Sequence, residues 1–542
     1  MDRSFVRRVL LSMSAACFAA IPVSWFYDGF VTDPVAVMGS MLLCGVLAAT
    51  AAFWLLGKYG DLVARVGRYR LCIVPALYTA VRYTLMAGPM VEDAVPQWIA
   101  WALSACAVPA LYLMFAFAYQ MLGQICRALY PTGLATHERC YFVTHVFIAT
   151  GFMIWAFVQY PILWDGVRYG NIMSDVVYMF DSQCHMSIND FFYTGAPEND
   201  MRNLFFGFFN LPFTAPCMLL SDLIKAVSGV NVYPFLLGLL QCLAIVLSAI
   251  LLARAISSNP VKRMGFYILF ACGFASMLHI LILEQYAFNL LWSAAFLHVY
   301  ITKSGRTNES DACYILAAGN VSTGALLAIP ELLDGVDQAK KTIRHAFVSA
   351  VCAMCLSGQI LGVVRTLKES LTMAMFCGSG VGLINRLQQF TVFVRSVFLY
   401  PESAGFLATP WFEFEQEKYA VWRLSVVELF DLLGVLLIGL AVMGLILNLK
   451  DRFARFCGGW LLVSFLILVL IGWGTPENGL IIYGLHFGWA YIGLLFKLLD
   501  RIFDKYPAIL LCACSIMGVA MLSINLPGIF DMLSFLGQYY PA

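Results

Sequence analysis

Long apolar runs broken by short polar stretches dominate this chain, with neither the strict alternation of a strand nor the one-sided stripe of a soluble amphipathic helix. A lipid-crossing helix rises 1.5 Å per residue and needs about 20 largely apolar residues to cross a hydrocarbon core about 30 Å thick. That measure predicts spans near Val9 to Phe26, Val35 to Leu56, Leu71 to Met86, Trp98 to Leu122 and Tyr141 to Tyr160. After about seventy more polar residues they resume near Phe235 to Ala253, Gly265 to Leu283, Phe288 to Ile301, Phe347 to Val364, Phe430 to Leu449, Trp460 to Trp473, Leu480 to Phe496 and Ala508 to Leu526. The first run follows Arg3, Arg7 and Arg8 as a signal peptide would, but no small-residue cleavage site precedes Trp25 and Phe26. It is read as an anchor.

Basic residues near span ends are retained on the cytoplasmic side. Lys58, Arg65, Arg68 and Arg70 share one loop, and Arg127 with Arg139, Arg254 with Lys262 and Arg263, Lys450 with Arg452 and Arg455, and Lys497 with Arg501 and Lys505 occupy others. The bias puts the N-terminus in the cytoplasm and the C-terminus outside, in a cell membrane. Two ambiguous segments follow from it. Leu204 to Ile224, carrying Pro212 and Pro216, is expected to lie in the outer interface rather than cross, because crossing would turn Arg254, Lys262 and Arg263 outward. Cys313 to Ile329, interrupted by Gly319, Asn320 and Gly324, is expected to be a re-entrant pair that leaves Lys340, Lys341 and Arg344 cytoplasmic. The prediction is an all-α polytopic membrane protein with about thirteen crossings. It has a four-span region (1–140), a core (141–542) and two outer segments (161–234 and 365–429).

Composition agrees. Of 542 residues 61% are hydrophobic and 12% charged, and the mean hydropathy is +0.81, which excludes a water-soluble domain. With 33 basic and 32 acidic residues, nothing marks a nucleic-acid surface. The 17 cysteines mostly sit singly in apolar runs, as Cys44, Cys106, Cys242 and Cys272 do, and Cys352 with Cys355 falls on an apolar helix. They read as small hydrophobes. No P-loop, GxGxxG after a strand, GxSxG or HExxH occurs, so ATP-driven transport, nucleotide-sugar binding, serine hydrolysis and a zinc site lack support. Substrate is expected to arrive through the membrane as a lipid.

The first outer segment carries Ser174-Asp175, Tyr178, Asp181 and, later, Glu198-Asn199-Asp200-Met-Arg202. At 100° per residue, Ile172, Met173, Val176, Val177 and Phe180 fall on one arc while Ser174, Asp175, Tyr178 and Asp181 fall opposite. The pattern predicts a short membrane-surface helix whose polar arc faces either a substrate cavity or simply water. Ser174-Asp175 and Asp200-Met-Arg202-Asn203-Leu204-Phe205 resemble two motifs of the GT-C superfamily of integral-membrane glycosyltransferases: an early Ser-Asp pair, and an Asp-x-Arg followed by His-Pro-Leu-Phe. Asn203-Leu204 stands where His-Pro is usual. The likeness runs from about Tyr141 to the C-terminus.

The resemblance implies transfer of a sugar from a polyprenyl-phosphate donor to a glycan, lipid or protein acceptor at the outer face, within surrounding membrane lipids and without nucleic acid. Such a transfer needs a carboxylate to take the acceptor's proton and a cation to meet the departing phosphate. Asp175 is the expected base, Asp200 orients the acceptor, and Tyr178 and Asp181 contact substrate. Arg202 is the nearest cation in sequence, unless it pairs with Asp200 or Glu198. Glu284, in an outer turn between spans, resembles a second acidic position of the family and reads equally well as a solvated turn. In the second outer segment Arg395 lies among Phe390, Phe393 and Phe398 and is expected on an interfacial helix, meeting either the donor phosphate or anionic headgroups. No metal or cofactor is predicted, although some relatives hold a divalent cation on loop carboxylates, as Asp175 with Asp181 could. A transporter or flippase of lipid-linked cell-envelope intermediates is the alternative. It is disfavoured because charges avoid span centres and no internal repeat is visible.

Overall fold

In lipid every backbone polar group must be satisfied within its own segment, so the long apolar runs form helices. The computed structural model describes residues 3–27, 34–60, 69–91, 96–131, 133–165, 176–178, 205–303, 307–332, 336–360, 378, 380–401, 404–407, 421–424, 427–476 and 479–541. The helices are α1 (Arg3–Tyr27), α2 (Pro34–Lys58), α3 (Ile73–Val91), α4 (Gln97–Leu129), α5 (Thr136–Gln159), α6 (Phe206–Ser228), α7 (Tyr233–Ile256), α8 (Pro260–Cys272), α9 (Phe274–Leu281) and α10 (Tyr286–Thr302). They continue with α11 (Asn308–Asn320), α12 (Ala328–Leu332), α13 (Val336–Leu356), α14 (Leu383–Phe398), α15 (Leu432–Leu447), α16 (Arg452–Phe465), α17 (Gly484–Ile502) and α18 (Pro507–Tyr539). One hairpin of β1 (Ala404–Leu407) and β2 (Val421–Leu424) departs from an all-helical chain; its antiparallel register pairs Ala404 with Leu424 and Leu407 with Val421.

Among the described residues nine helices are long and apolar enough to cross a membrane, or ten if the pair α8 and α9, bent by 58°, counts as one span. This is the fold of a multi-pass α-helical membrane protein; the expected number of about thirteen is not reached on that measure. Eight of the nine lie on expected spans, and the ninth is α6. A helix lying in or partly dipping into the outer interface was expected there, and α6 runs unbroken through both prolines. Pro216 has no N–H for the carbonyl of Pro212 one turn earlier, and the Tyr119 hydroxyl on α4 donates to that carbonyl instead, at 2.6 Å.

Charged loops meet at one end of the bundle. Glu138, with no exposed side-chain surface, takes Arg254 at 2.5 Å and Arg263 at 3.0 Å. Lys262 reaches Asp500 at 2.6 Å and Asp504 at 2.8 Å, and Lys497 reaches Asp451 at 2.7 Å. The α11–α12 hairpin also starts and finishes there. Glu309 lies 3.7 Å from Lys303 at its entry, and after the turn at 322–327 the chain returns to α13, whose His345 sits 2.7 Å from Asp311. At the turn Gly324 lies so close to Ala317 that a Cβ would come within 2.6 Å of that carbonyl oxygen.

The centre is α17, buried on every side from Gly484 to Leu498. Helices α1 to α4 bundle beside the core and hold α6: the Tyr78 hydroxyl donates to Asp222 at 2.6 Å, and Arg82 lies 3.8 Å from the same carboxylate. Epitope tags inserted after 258 and after 505 should report the same side of the membrane, and one after 401 the other, in a protease-protection assay. Tags at 258 and 401 on a common side would mean that the shared charged end does not exist.

Candidate functional site

The end opposite the charged loops is built around a break. Helix α8 stops at Cys272, and Gly273 is extended (φ −64°, ψ 136°) before α9 begins. A Cβ on Gly273 would lie 3.1 Å from the carbonyl oxygen of Val397, so the end of α14 presses on the break. Asn525 of α18 closes both ends. Its Nδ2 donates to the carbonyls of Cys272 (2.8 Å) and Phe398 (2.9 Å), and its Oδ1 accepts from the N–H of Tyr400 at 2.7 Å.

Tyr178 rests on this junction. The Trp422 N–H donates to the Val176 carbonyl at 2.7 Å and the Tyr178 N–H to the Trp422 carbonyl at 2.6 Å, so Val177 and Trp422 form a parallel bridge. The short surface helix expected over 172–181 is therefore not formed at 176–178. Val176, Val177 and Tyr178 are all buried, because two β-branched residues and an aromatic gain more by pairing with a strand edge and packing beneath it than by lying on a surface. Tyr178 takes a left-handed backbone (φ 46°), a conformation rare for bulky residues that the surrounding contacts must hold. Its hydroxyl accepts from the Trp422 indole at 3.1 Å and also bonds Tyr400, while its ring meets Phe274 edge-on at 6.1 Å. Burial pushes the Tyr178 phenol well above the usual range and that of Tyr400 up to about 12. Both stay protonated near neutral pH, and Tyr178 serves as a packing and hydrogen-bonding group rather than a base.

Asp175, Asp181, Asp200 and Arg202 lie outside the described residues. Asp175 is bonded to Val176, whose carbonyl is fixed by Trp422.

Glu284 follows α9 and is fully buried, which removes the solvated-turn reading. Gln241 on α7 locks its backbone: Oε1 accepts from the Glu284 N–H at 2.9 Å, and Nε2 donates to the carbonyls of Ile282 (2.6 Å) and His279. Gln285 beside it is also fully buried, and neither of its amide atoms has a partner. Next comes Tyr286, whose ring lies 5.7 Å from Tyr483 and 5.9 Å from His486. His486 is bonded at Nδ1 to Asn289 (2.8 Å) and at Nε2 to Thr323 (2.9 Å), at the hairpin's turn. A buried line of neutral polar side chains thus runs from Glu284 to the tip of the hairpin. Sequence reasoning missed Gln241, Asn289, Thr323 and His486; for Gln241, Asn289 and His486 the signal was a polar residue alone inside an apolar run.

Arg395 is 7% exposed, and all of Gln389 to Phe398 is buried, so this part of α14 is packed within protein and not laid on the lipid surface as expected. The Arg395 Nη1 donates to Asp431 at 2.9 Å, and Asp431 in turn caps α15 by accepting from the Gly434 N–H at 2.7 Å. Among the described residues no group of three or more His, Cys, Asp or Glu side chains could hold a metal ion.

No protein-family model matches this chain, and no curated protein or solved structure matches it. The class it belongs to, a multi-pass α-helical membrane protein, rests on the fold itself.

In a double-mutant cycle, Arg395→Ala and Asp431→Ala should each destabilise the protein and show a coupling of about 0.5–3 kcal/mol. Chemical unfolding in one detergent measures it, and additive effects would free Arg395 for a role beyond holding α15.

Proposed function

We propose that this chain is a membrane glycosyltransferase that moves a sugar from a polyprenyl-phosphate donor to a hydroxyl of a glycan, lipid or protein acceptor at the outer face. The observation that supports it best is Glu284, a carboxylate fully buried in an outer turn and held in place by Gln241. Burying a carboxylate is costly, and a catalytic role accounts for keeping one there. In this reading Asp175 takes the proton of the attacking hydroxyl, the bond from the anomeric carbon to the phosphate oxygen breaks, and Arg202 meets the departing phosphate charge. Asp200 orients the acceptor, Glu284 provides the second acidic group, and Tyr178 fixes the backbone that carries Asp175. A divalent cation held by Asp175 and Asp181 is compatible with the reading and not required by it. The N-terminus is cytoplasmic and the C-terminus exterior.

A second reading, a transporter or flippase of lipid-linked intermediates, is favoured by the broken α8–α9 span and by the hairpin whose Thr323 meets His486, itself bonded to Asn289 inside the bundle. Broken helices with buried polar groups commonly mark transport sites. Purified protein in liposomes, offered a panel of polyprenyl-phosphate sugars, separates the two. Asp175→Asn and Glu284→Gln should each retain wild-type melting and lose turnover by about 10²- to 10⁴-fold. Movement of intact donor across the bilayer without cleavage, unchanged in Asp175→Asn, would establish the transporter instead.

A further inference from the structure

At the charged end, Glu138 and Arg254 form a complete clamp. Arg254 gives Nε and Nη2 to the two oxygens of Glu138 and uses its remaining bonds on the carbonyls of Leu129 (2.9 Å) and Gly133 (2.9 Å), closing the loop between α4 and α5. Glu138 also accepts from the Ala135 N–H at 2.8 Å. The clamp explains one carboxylate and one guanidinium. Arg263 gives its Nε to the carbonyl of Ser257 at 2.7 Å, adds a second guanidinium to the same carboxylate at 3.0 Å and leaves the group one positive charge in excess, which the clamp does not explain.

Besides the Nε2 of His137, three more groups around this charge lack a partner. The hydroxyls of Tyr130 and Tyr267 and the Nδ1 of His298 are buried without a hydrogen-bond partner, although Tyr267 has no exposed surface and His298 only 7%. All three lie within electrostatic reach of Arg254 and Glu138, and the Arg254 guanidinium sits 4.8 Å over the Tyr130 ring. Stacking on Tyr141 at 4.2 Å holds the Tyr267 ring in place. Native proteins rarely leave buried polar atoms unsatisfied without a reason. Phenol and guanidinium donate, and the imidazole Nδ1 donates in its Nδ1–H tautomer, so a partner rich in acceptors satisfies all of them, and the excess positive charge makes it an anion.

We propose that the charged end carries a binding site for one phosphate group, whose oxygens accept from Arg263, Tyr130, Tyr267 and His298. The site is at the opposite end of the bundle from Glu284 and is independent of the proposed transfer reaction. Two sources share this chemistry, the headgroup of an anionic phospholipid and free phosphate.

The test is a melting titration of the full-length protein in detergent with three probes: dioctanoyl phosphatidylglycerol, inorganic phosphate, and dioctanoylglycerol, which has the same chains and no phosphate. Phosphatidylglycerol or phosphate should stabilise the wild type saturably, and dioctanoylglycerol should not. Tyr267→Phe keeps the stacked ring and removes one donor, and Arg263→Gln removes the excess charge. Each should raise the half-saturating concentration about tenfold or more, as loss of a charge-assisted hydrogen bond does, while Lys505→Gln at the same end leaves it unchanged. A response to phosphatidylglycerol alone identifies a lipid headgroup, and an equal response to inorganic phosphate identifies a free anion. The proposal is overturned if the wild type responds to neither phosphate probe, so that buried water alone fills the space, if dioctanoylglycerol stabilises equally, or if Tyr267→Phe titrates like wild type.

Discussion

Two helices end inside this bundle, α8 at Cys272 and α14 at Phe398, and each leaves backbone groups without an intrahelical partner. Asn525 satisfies three of them with one side chain. An unsatisfied amide in hydrocarbon costs several kcal/mol, so the position of α18 is tied to both ends at once. The last turns of α18 pack tightly: a Cβ on Gly528 would lie 2.3 Å from the Tyr400 ring, and one on Gly537 would lie 3.1 Å from that of Tyr160. With Tyr400 and Phe274 so placed, Tyr178 and Trp422 have a fixed surface to rest on.

The same constraint recurs wherever the helices are interrupted. Gln241 serves the unwound residues before Glu284, and Tyr119 serves Pro212 in α6. At the hairpin, Asn289 takes up the Ala317 carbonyl and holds His486. Each break is repaired by a single polar side chain from another helix, which lets irregular backbone persist at membrane depth. The buried Glu284 is held by such a repair, so any substitution at Gln241 acts on the carboxylate through the backbone it fixes.

Much of the helical fold was legible because hydropathy and length alone identify most long helices. Loop charge grouped Arg254, Lys262, Arg263 and Lys497, and the structure brings them to one end. Glu284 was legible for a similar reason, as an ionisable group beside hydrocarbon. The rest depends on partners remote in sequence. Helical periodicity placed Tyr178 on a polar arc, and only Trp422, 244 residues away, turns it inward. Arg395 among aromatics read as an interfacial cation because Asp431 lies beyond the window in which a pattern is seen. The continuity of α6 required Tyr119, 93 residues from Pro212. The candidate site was legible only as residue types: the sequence marked Asp175 and Glu284, while the Glu284 backbone is positioned by Gln241, an isolated glutamine that resembles an ordinary core polar group.

Hydrogen exchange at the amides of Tyr178, Tyr400 and Trp422, compared between wild type and Asn525→Leu, tests most directly whether one side chain organises the end opposite the charged loops. All three amides should exchange slowly in the wild type and much faster in the variant, while exchange within α7 stays unchanged. Equal exchange in the two proteins at these amides would show that this end holds together without Asn525.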